Sequence, residues 1–429
     1  MPAPDRRTIG ELLADSDALA RETLLDATPE IAPAMIRSWN QQMPYPGKVA
    51  GNLAQVTVAR SVPGPMPGAT LRAIASPTSC RPSIGSDFDL NDLRGAGQIM
   101  YANVGSADAM CDRVIANFTN LPTIFPAGSG RWQASGAGWQ LTLEGRNDHG
   151  TVLGELRRSL FFAVTHVGEL RRVDGSRFKA SEAADALEGF KVALSFALAR
   201  WIATVAPVGI DIAGKQVWQQ WAKWRCDPVS TNYLPWWGGH GDDLEHFIDR
   251  LLNAWFASEQ ERDVIRYLAI LLIAAHHWGT TIEAKIMLVH SGFDYLSWVN
   301  YGLSGKRTRS QHKGAKNGMP EATWHLKELL RAAKIPMRRP ANLVALRKYA
   351  SKEKVRGAPA TVTRLRNTLT HPKDAGEPYS IEGVLEGSWF LVTEWAELML
   401  LRRIGYRGKY RPRKDTSEWV NSVPVPWAV

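Results

Sequence analysis

The chain has 429 residues, 45% hydrophobic and 22% charged, with 52 Lys and Arg against 42 Asp and Glu for a net charge of +10. That length suggests two or three domains, and the ordinary composition, without an extended low-complexity tract, excludes a disordered or fibrous class. The positive balance favours an anionic partner such as nucleic acid or a membrane surface. Three scattered cysteines (Cys80, Cys111, Cys226) sit at no metal-ligand spacing and fit a reducing compartment better than a disulfide framework.

The opening MPAPDRRTIGELLADSD carries acids early and has no apolar core, so it does not read as a signal peptide. Residues 7–40 read as a short helical arm, and an N-terminal arm is expected over 1–45. From about 50 to 175 the texture is that of strands. AQVTVARS, ATLRAIAS, GQIMYANV, WQLTLEGR and LFFAVTHVGEL are short, β-branched or aromatic, and separated by Gly, Pro, Asn and Asp. No helical period persists there. The expectation is a β-rich domain over 46–235 that includes one helix near 181–200, where a Ser precedes apolar residues at helical spacing. The following IATVAPVGIDIAGKQVWQQWAKW fits either returning strands or a Trp-faced helix. Its WQQWAKW rings, three apart, read as a core stripe ahead of a ligand platform. WWGGHGDD (236–243) reads as a linker, with Asp242 or Asp243 capping the next helix.

Beyond the linker every segment to about 406 carries a three-to-four-residue apolar period, broken at HKGAKNGMP, KIPMRRP and HPKDAGEP. The expectation is an α-helical bundle over 240–410 and a C-terminal tail over 411–429. YLAILLIAAHHWG (267–279) is too short to span a bilayer, and the reading is a cytoplasmic chain without membrane contact. His276, His277 and His290 are expected to be structural, since adjacent histidines diverge on a helix and no carboxylate completes a ligand spacing. Phosphate-loop, paired-Cys zinc and nucleophile-elbow motifs are absent, so neither metal nor cofactor is expected.

The chemistry concentrates in TRLRNTLTHPKD (363–374). On a helix Asn367 and His371 share a face and Arg366 lies one step round it, and Pro372 stops the helix at His371. Arg presents a permanent planar cation to a phosphate, and His exchanges protons near neutral pH. His371 there can accept the proton of an RNA 2′-hydroxyl or protonate a leaving 5′-oxygen, with Arg366 holding the non-bridging oxygens and Asn367 orienting. The bland alternative is an ordinary helix end with His371 against the helix dipole. Two basic clusters accompany the motif. KRTRSQHKGAK contributes Lys306, Arg307, Arg309, Lys313 and Lys316, and RRIGYRGKYRPRK contributes Arg402, Arg403, Arg407 and Lys409 interleaved with Tyr406 and Tyr410. Cations with interspersed aromatics suit a single-stranded RNA track.

From about 243 onward, the paired helices, LVHSGFDYLSW, KIP before a helix, the RNxxxH stretch, LLRRIGYRGKYRPR and the closing VPVPW resemble bacterial HEPN proteins with an N-terminal non-HEPN domain. The layout is similar to that of ApeA-like defence proteins. With the strand texture ahead of it, the expectation is an α+β chain, a β-rich N-terminal domain followed by the HEPN-like bundle that the resemblance implies. It further implies a metal-independent endoribonuclease whose Arg366, Asn367 and His371 act in a dimeric cleft, in a toxin–antitoxin or anti-phage setting. The helices around 263–301 are the expected homodimer face, an antitoxin or a phage-derived trigger is an expected partner, and the β-rich domain is the expected sensor. Glu283 is the candidate for the acid that family members place on an earlier helix. The rival expectation is a non-catalytic module that grips RNA or a ligand, or dimerises.

Overall fold

The computed structural model describes residues 54–58, 71–77, 97–124, 130–158, 162–222, 224–229, 235–239, 241–314, 318–413 and 422–428. The expected arm at 1–45, Cys80 and Lys316 lie outside them. The chain divides into two compact units. One comprises Met1–Gln133, Gly138–Glu188 and Ile202–Val229, and the other Ala134–Ala137, Gly189–Trp201 and Ser230–Val429.

Strands dominate the first unit, as their β-branched and aromatic residues favour. They are β1 (Ala54–Val58), β2 (Leu71–Pro77), β3 (Gly97–Gly105), β4 (Met110–Cys111), β5 (Arg113–Thr119), β6 (Arg131–Gly136), β7 (Trp139–Gly145), β8 (Val164–Arg172), β9 (Phe178–Lys179), β10 (Ala203–Ile210) and β11 (Gln216–Ala222). Nine of them form one sheet in the order β1-β2-β3-β11-β10-β5-β8-β7-β6, and β4 pairs with β9. Period-two burial marks a sheet with one face in the core: Val114, Ala116 and Phe118 of β5 are buried while Arg113, Ile115 and Asn117 are half-buried. At Gly168 of β8 a Cβ would lie 2.6 Å from the Phe118 ring and 2.9 Å from the Leu143 side chain, so the two neighbouring strands close over a residue without one.

Three expectations change here. A helix, α1 (His149–Arg158), interrupts the strand region, and its Leu153 and Leu156 bury against Val229. The stretch after 201 forms strands, and the odd spacing of Trp218 and Trp221 puts them on opposite faces of β11. Trp218 is buried and Trp221 half-buried, so the two do not form one stripe. The helix near 181–200, α2 (Ala180–Ala197), belongs to the first unit only through Glu188, and Gly189–Trp201 belongs to the second.

The second unit is helical: α3 (Gly241–Trp255), α4 (Glu259–His276), α5 (Ile282–Ser297) with a π-helical extension (Trp298–Leu303), α6 (Arg309–His312), α7 (Glu321–Ala332), α8 (Val344–Lys352), α9 (Ala358–Thr370) and α10 (Val384–Arg403). Ser258 and Thr281 cap α4 and α5 by accepting backbone N–H bonds from Glu261 and Ala284. The WWGG segment is no linker. Trp236 is fully buried, its ring 4.8 Å from Phe247 and 5.6 Å from Tyr406. The next helix starts ahead of the expected caps, at Gly241, and Asp243 in its first turn accepts the Lys409 backbone N–H at 3.1 Å.

Helix α10 is buried over nearly its whole surface, from Val384 to Leu401, as befits a central helix of a bundle. That burial encloses Glu394 and Glu397, which need partners. Tyr410, Arg413 and His276 supply them. Arg413, buried, pairs with Glu397 through two nitrogens, one of them Nε at 2.6 Å, and its backbone N–H bonds Glu394 at 2.9 Å. Tyr410 donates to Glu394, and His276 Nε2 lies 3.1 Å from both Glu397 and Arg413. β12 (Lys409–Tyr410) pairs with β13 (Val423–Pro424), and Trp427 Nε1 donates to the Tyr406 carbonyl at 2.6 Å, tying the chain end down. No described helix is long and apolar enough to cross a membrane.

Candidate active site

Helix α9 begins after Gly357, with Pro359 in its first turn, and ends at Thr370. His371 is its C-cap, at φ −139° and ψ 62°, and donates its backbone N–H to the Asn367 carbonyl at 2.8 Å. The following Pro372 excludes helical geometry at His371 for steric reasons. The chain therefore turns out of the helix with the His371 side chain exposed. The segment after it is held, not loose. Glu377, buried, accepts the Lys373 backbone N–H, Asp374 accepts that of Gly376 at 2.9 Å, and Tyr379 Oη donates to Glu283 at 3.0 Å.

One turn back, Arg366 and Asn367 are half-buried and joined, Nη1 donating to Asn367 Oδ1 at 3.2 Å. The other arm of the guanidinium reaches Asp294 Oδ2 at 3.5 Å. Its Nε is buried and has no hydrogen-bond partner among the described residues, while 27% of the side chain is exposed. A guanidinium carries five donors, so Arg366 is oriented from two sides while part of its fork stays unspent. Asp294, in the last full turn of α5 before the π-helical extension, was not singled out by sequence spacing. Burial raises its carboxyl above the ordinary aspartate range, against the lowering by Arg366. His290, one turn earlier, is buried beside Arg366. Burial first, and then that cation, push it down to about 3, so its ring is neutral at physiological pH.

Glu283 is misplaced as the supporting acid. It stands in the first turn of α5, eleven residues before Asp294, which is about 16 Å along a helix at 1.5 Å per residue. Its carboxylate, held below the ordinary range by backbone N–H bonding at the helix start and by Tyr379, anchors the segment after His371 instead. Asp294 is the acid at Arg366.

The two basic clusters fare differently from each other. In 402–413 the aromatics are core: Tyr406 and Tyr410 are 0% and 4% exposed, so neither ring is open to a base. Arg403 grips Glu261 with two bonds of 2.6 and 2.7 Å and Asn300 with a third of 2.9 Å, and Arg402 lies 5.6 Å from the Trp427 ring. Arg407 and Lys409 alone of that set project into solvent. In 306–313, Arg307 is sandwiched between Tyr301 and Trp324, about 4 Å from each ring centroid (4.3 and 4.2 Å), and paired with Glu328 at 2.7 Å, while Lys306, Arg309 and Lys313 are exposed. The expected RNA track therefore breaks up: Arg307 and Arg403 are spent on partners within the helical unit, and no aromatic of the 402–413 cluster is open to stack on a base. Sequence adjacency of Arg and Tyr does not separate the two roles. His276 and His290 are buried side chains, and among the described residues no group of three or more His, Cys, Asp or Glu converges to hold a metal ion.

Both units match YopA domains. The YopA central domain matches residues 107–232, and the YopA C-terminal domain matches residues 259–424, a span that contains Asp294, Arg366, Asn367 and His371. The SPbeta prophage-derived uncharacterized protein YopA of Bacillus subtilis (strain 168) is 25% identical over 311 residues, 70% of this chain. The chain spans 64% of the length of that relative. No solved structure matches. The first match ends at 232, next to Ser230 where the second unit resumes, and it also takes in Ala134–Ala137 and Gly189–Trp201 of the second unit.

Proposed function

We propose that the helical unit is a HEPN-like endoribonuclease that cleaves RNA by attack of a 2′-hydroxyl on the adjacent phosphodiester. The observation that carries this reading is the end of α9. There a partly exposed arginine, oriented by Asp294 and Asn367, lies one turn from an exposed histidine. His371 takes the 2′-hydroxyl proton, the oxygen bonds to phosphorus, and the bond to the 5′-oxygen breaks, leaving a 2′,3′-cyclic phosphate. Arg366 stabilises the added charge on the non-bridging oxygens, where pre-oriented donors are most effective. A homodimer through the helices around 263–301 brings a second His371 to protonate the leaving 5′-oxygen. Tyr267 and Ile270, exposed one turn apart on α4, are the side chains such a face would use. The prophage origin of the B. subtilis relative fits a role in conflict between phage and host, with the β-rich unit as the sensing part.

One observation favours a second reading, a non-catalytic RNA-gripping module: no side chain among the described residues orients the His371 imidazole. The separating experiment uses wild type and His371→Ala with labelled single-stranded and transfer RNA in excess EDTA. Fragments ending in 2′,3′-cyclic phosphate from wild type, reduced about 10²–10⁴-fold in the variant, are the expected result. RNA retained by both proteins and cut by neither, even after addition of phage-infected lysate, leaves the gripping module.

A further inference from the structure

The stretch from Arg331 to Arg356 was not among the basic clusters singled out by sequence, because its cations are spread over 26 positions. It contains nine Lys or Arg and one acid. That acid, Glu353, is taken by Arg364 of α9 at 2.9 Å. Eight of the nine cations are exposed: Arg331, Lys334, Arg338, Arg347, Lys348, Lys352, Lys354 and Arg356; Arg339 is half-buried. None makes an ion pair among the described residues, unlike Arg307, Arg403 and Arg413 in the clusters the sequence offered.

Local structure explains why this face stays open. Helix α8 buries Leu346, Tyr349 and Ala350, which leaves Arg347, Lys348, Ser351 and Lys352 on the opposite side. Lys348 and Lys352 are four apart and thus stack along one line of the helix surface. The loops before and after α8 add Lys334, Arg338, Lys354 and Arg356 to the exposed cations.

This face is joined directly to the helix that ends in His371. Tyr349 and Thr368 hydroxyls are hydrogen-bonded at 3.0 Å beneath α8, and Lys352 Nζ donates to Ser380 Oγ at 2.9 Å. The residue before Ser380 is Tyr379, 59% exposed, its hydroxyl anchored on Glu283. Unpaired cations beside an exposed, fixed aromatic ring are what a sequence-tolerant single-strand site requires: phosphates on the cations and a base on the ring.

We propose that the outer face of α8 with its flanking loops holds the phosphates of single-stranded RNA, and that Tyr379 stacks a base where the strand passes toward Arg366 and His371. The choice of RNA as the polyanion rests on the function proposed above, whereas the site itself rests on exposure, charge and geometry. An acidic protein is the other class of partner such a face attracts, and the test separates the two.

The experiment compares full-length wild type, Arg347→Gln/Lys348→Gln/Lys352→Gln, Tyr379→Ala, and Lys306→Gln/Arg309→Gln/Lys313→Gln as a charge-matched control. Equilibrium binding of a labelled single-stranded RNA is measured between 50 and 300 mM salt, with melting curves to verify the fold. The α8 triple variant is expected to lose roughly 100-fold in affinity near 0.1 M salt, with a slope of log affinity against log salt shallower by about 2. Tyr379→Ala is expected to weaken binding with the slope unchanged. The 306–313 control is expected to lose clearly less. Equal losses in the two triple variants overturn the site, since attraction to the net charge of the chain then suffices. Unchanged RNA affinity with loss of binding to polyglutamate overturns it in favour of an acidic partner, and absence of RNA binding by wild type overturns it outright. A protein that binds through α8 and never cleaves keeps this site and removes the nuclease. One that cleaves with the α8 variant unimpaired does the reverse.

Discussion

The end of α9 and the segment that follows α10 draw on the same residue types, arginine near histidine or tyrosine at a helix terminus, and the fold uses them in opposite ways. After α10, Arg403 is held by Glu261 and Asn300 and the buried Arg413 by Glu397, and Tyr406 and Tyr410 fill the core. At the end of α9, Arg366 is oriented by Asn367 and Asp294 while part of its side chain stays exposed, and His371 faces solvent. An arginine enclosed with buried glutamates supports a fold. One held in place with part of its side chain at the surface is available to a phosphate. What distinguishes the two is the partner each finds.

The comparison breaks most severely through Arg413. Arg413→Ala strips Glu397, enclosed on α10, of its permanent cation and leaves it the His276 imidazole alone, at an expected cost of about 3–5 kcal/mol. Denaturant unfolding of the helical unit, followed by tryptophan fluorescence, measures it, and a loss below about 1 kcal/mol would remove the contrast. Arg366→Lys tests the other side. It keeps the charge and loses the planar fork, so RNA cleavage is expected to fall by about 10²-fold or more while the unfolding midpoint hardly moves. Arg403→Ala sharpens the pair. Its partly exposed pairing with Glu261 predicts a stability loss of about 1 kcal/mol at most and unchanged RNA affinity.

Acid acts on the buried side of the comparison. Burial pushes His276 down to about 4, and His290 and His166 down to about 3. The unfolded chain takes up these protons near pH 6.5, before the folded chain does. Stability is therefore present above about pH 6.5 and lost as the pH falls toward 4. Burial alone would raise Glu397, but Arg413 and His276 outweigh it and hold it low, so its contribution is also present above the ordinary glutamate value and fades below it. Melting temperatures are expected to drop between pH 7.5 and 5, and a flat profile would contradict the buried, neutral state of these rings.

Much of the architecture was legible in local pattern. Strand texture up to 175, helical periods after 240 and the stop at Pro372 follow from side-chain spacing and from proline sterics, which act over a few residues. Helix α1 was hidden because HGTVLGELRR carries two glycines and only a short apolar period, and it is held by contacts with Val229, far along the chain. Trp236 reads as linker beside two glycines, yet its ring is enclosed by Phe247 and Tyr406.

The sequence by itself determined which residues carry charge, that α9 stops ahead of Pro372, and that Arg366, Asn367 and His371 share the end of one helix. Only the tertiary structure decided which cations remain available. The charge of an arginine is fixed by its chemistry, but its freedom depends on carboxylates that folding brings from far away: Glu261 reaches Arg403 across 142 positions, and Asp294 arrives at Arg366 from another helix. Periodicity carries no trace of such pairings, because the energy that creates them is that of burying groups which must then be satisfied.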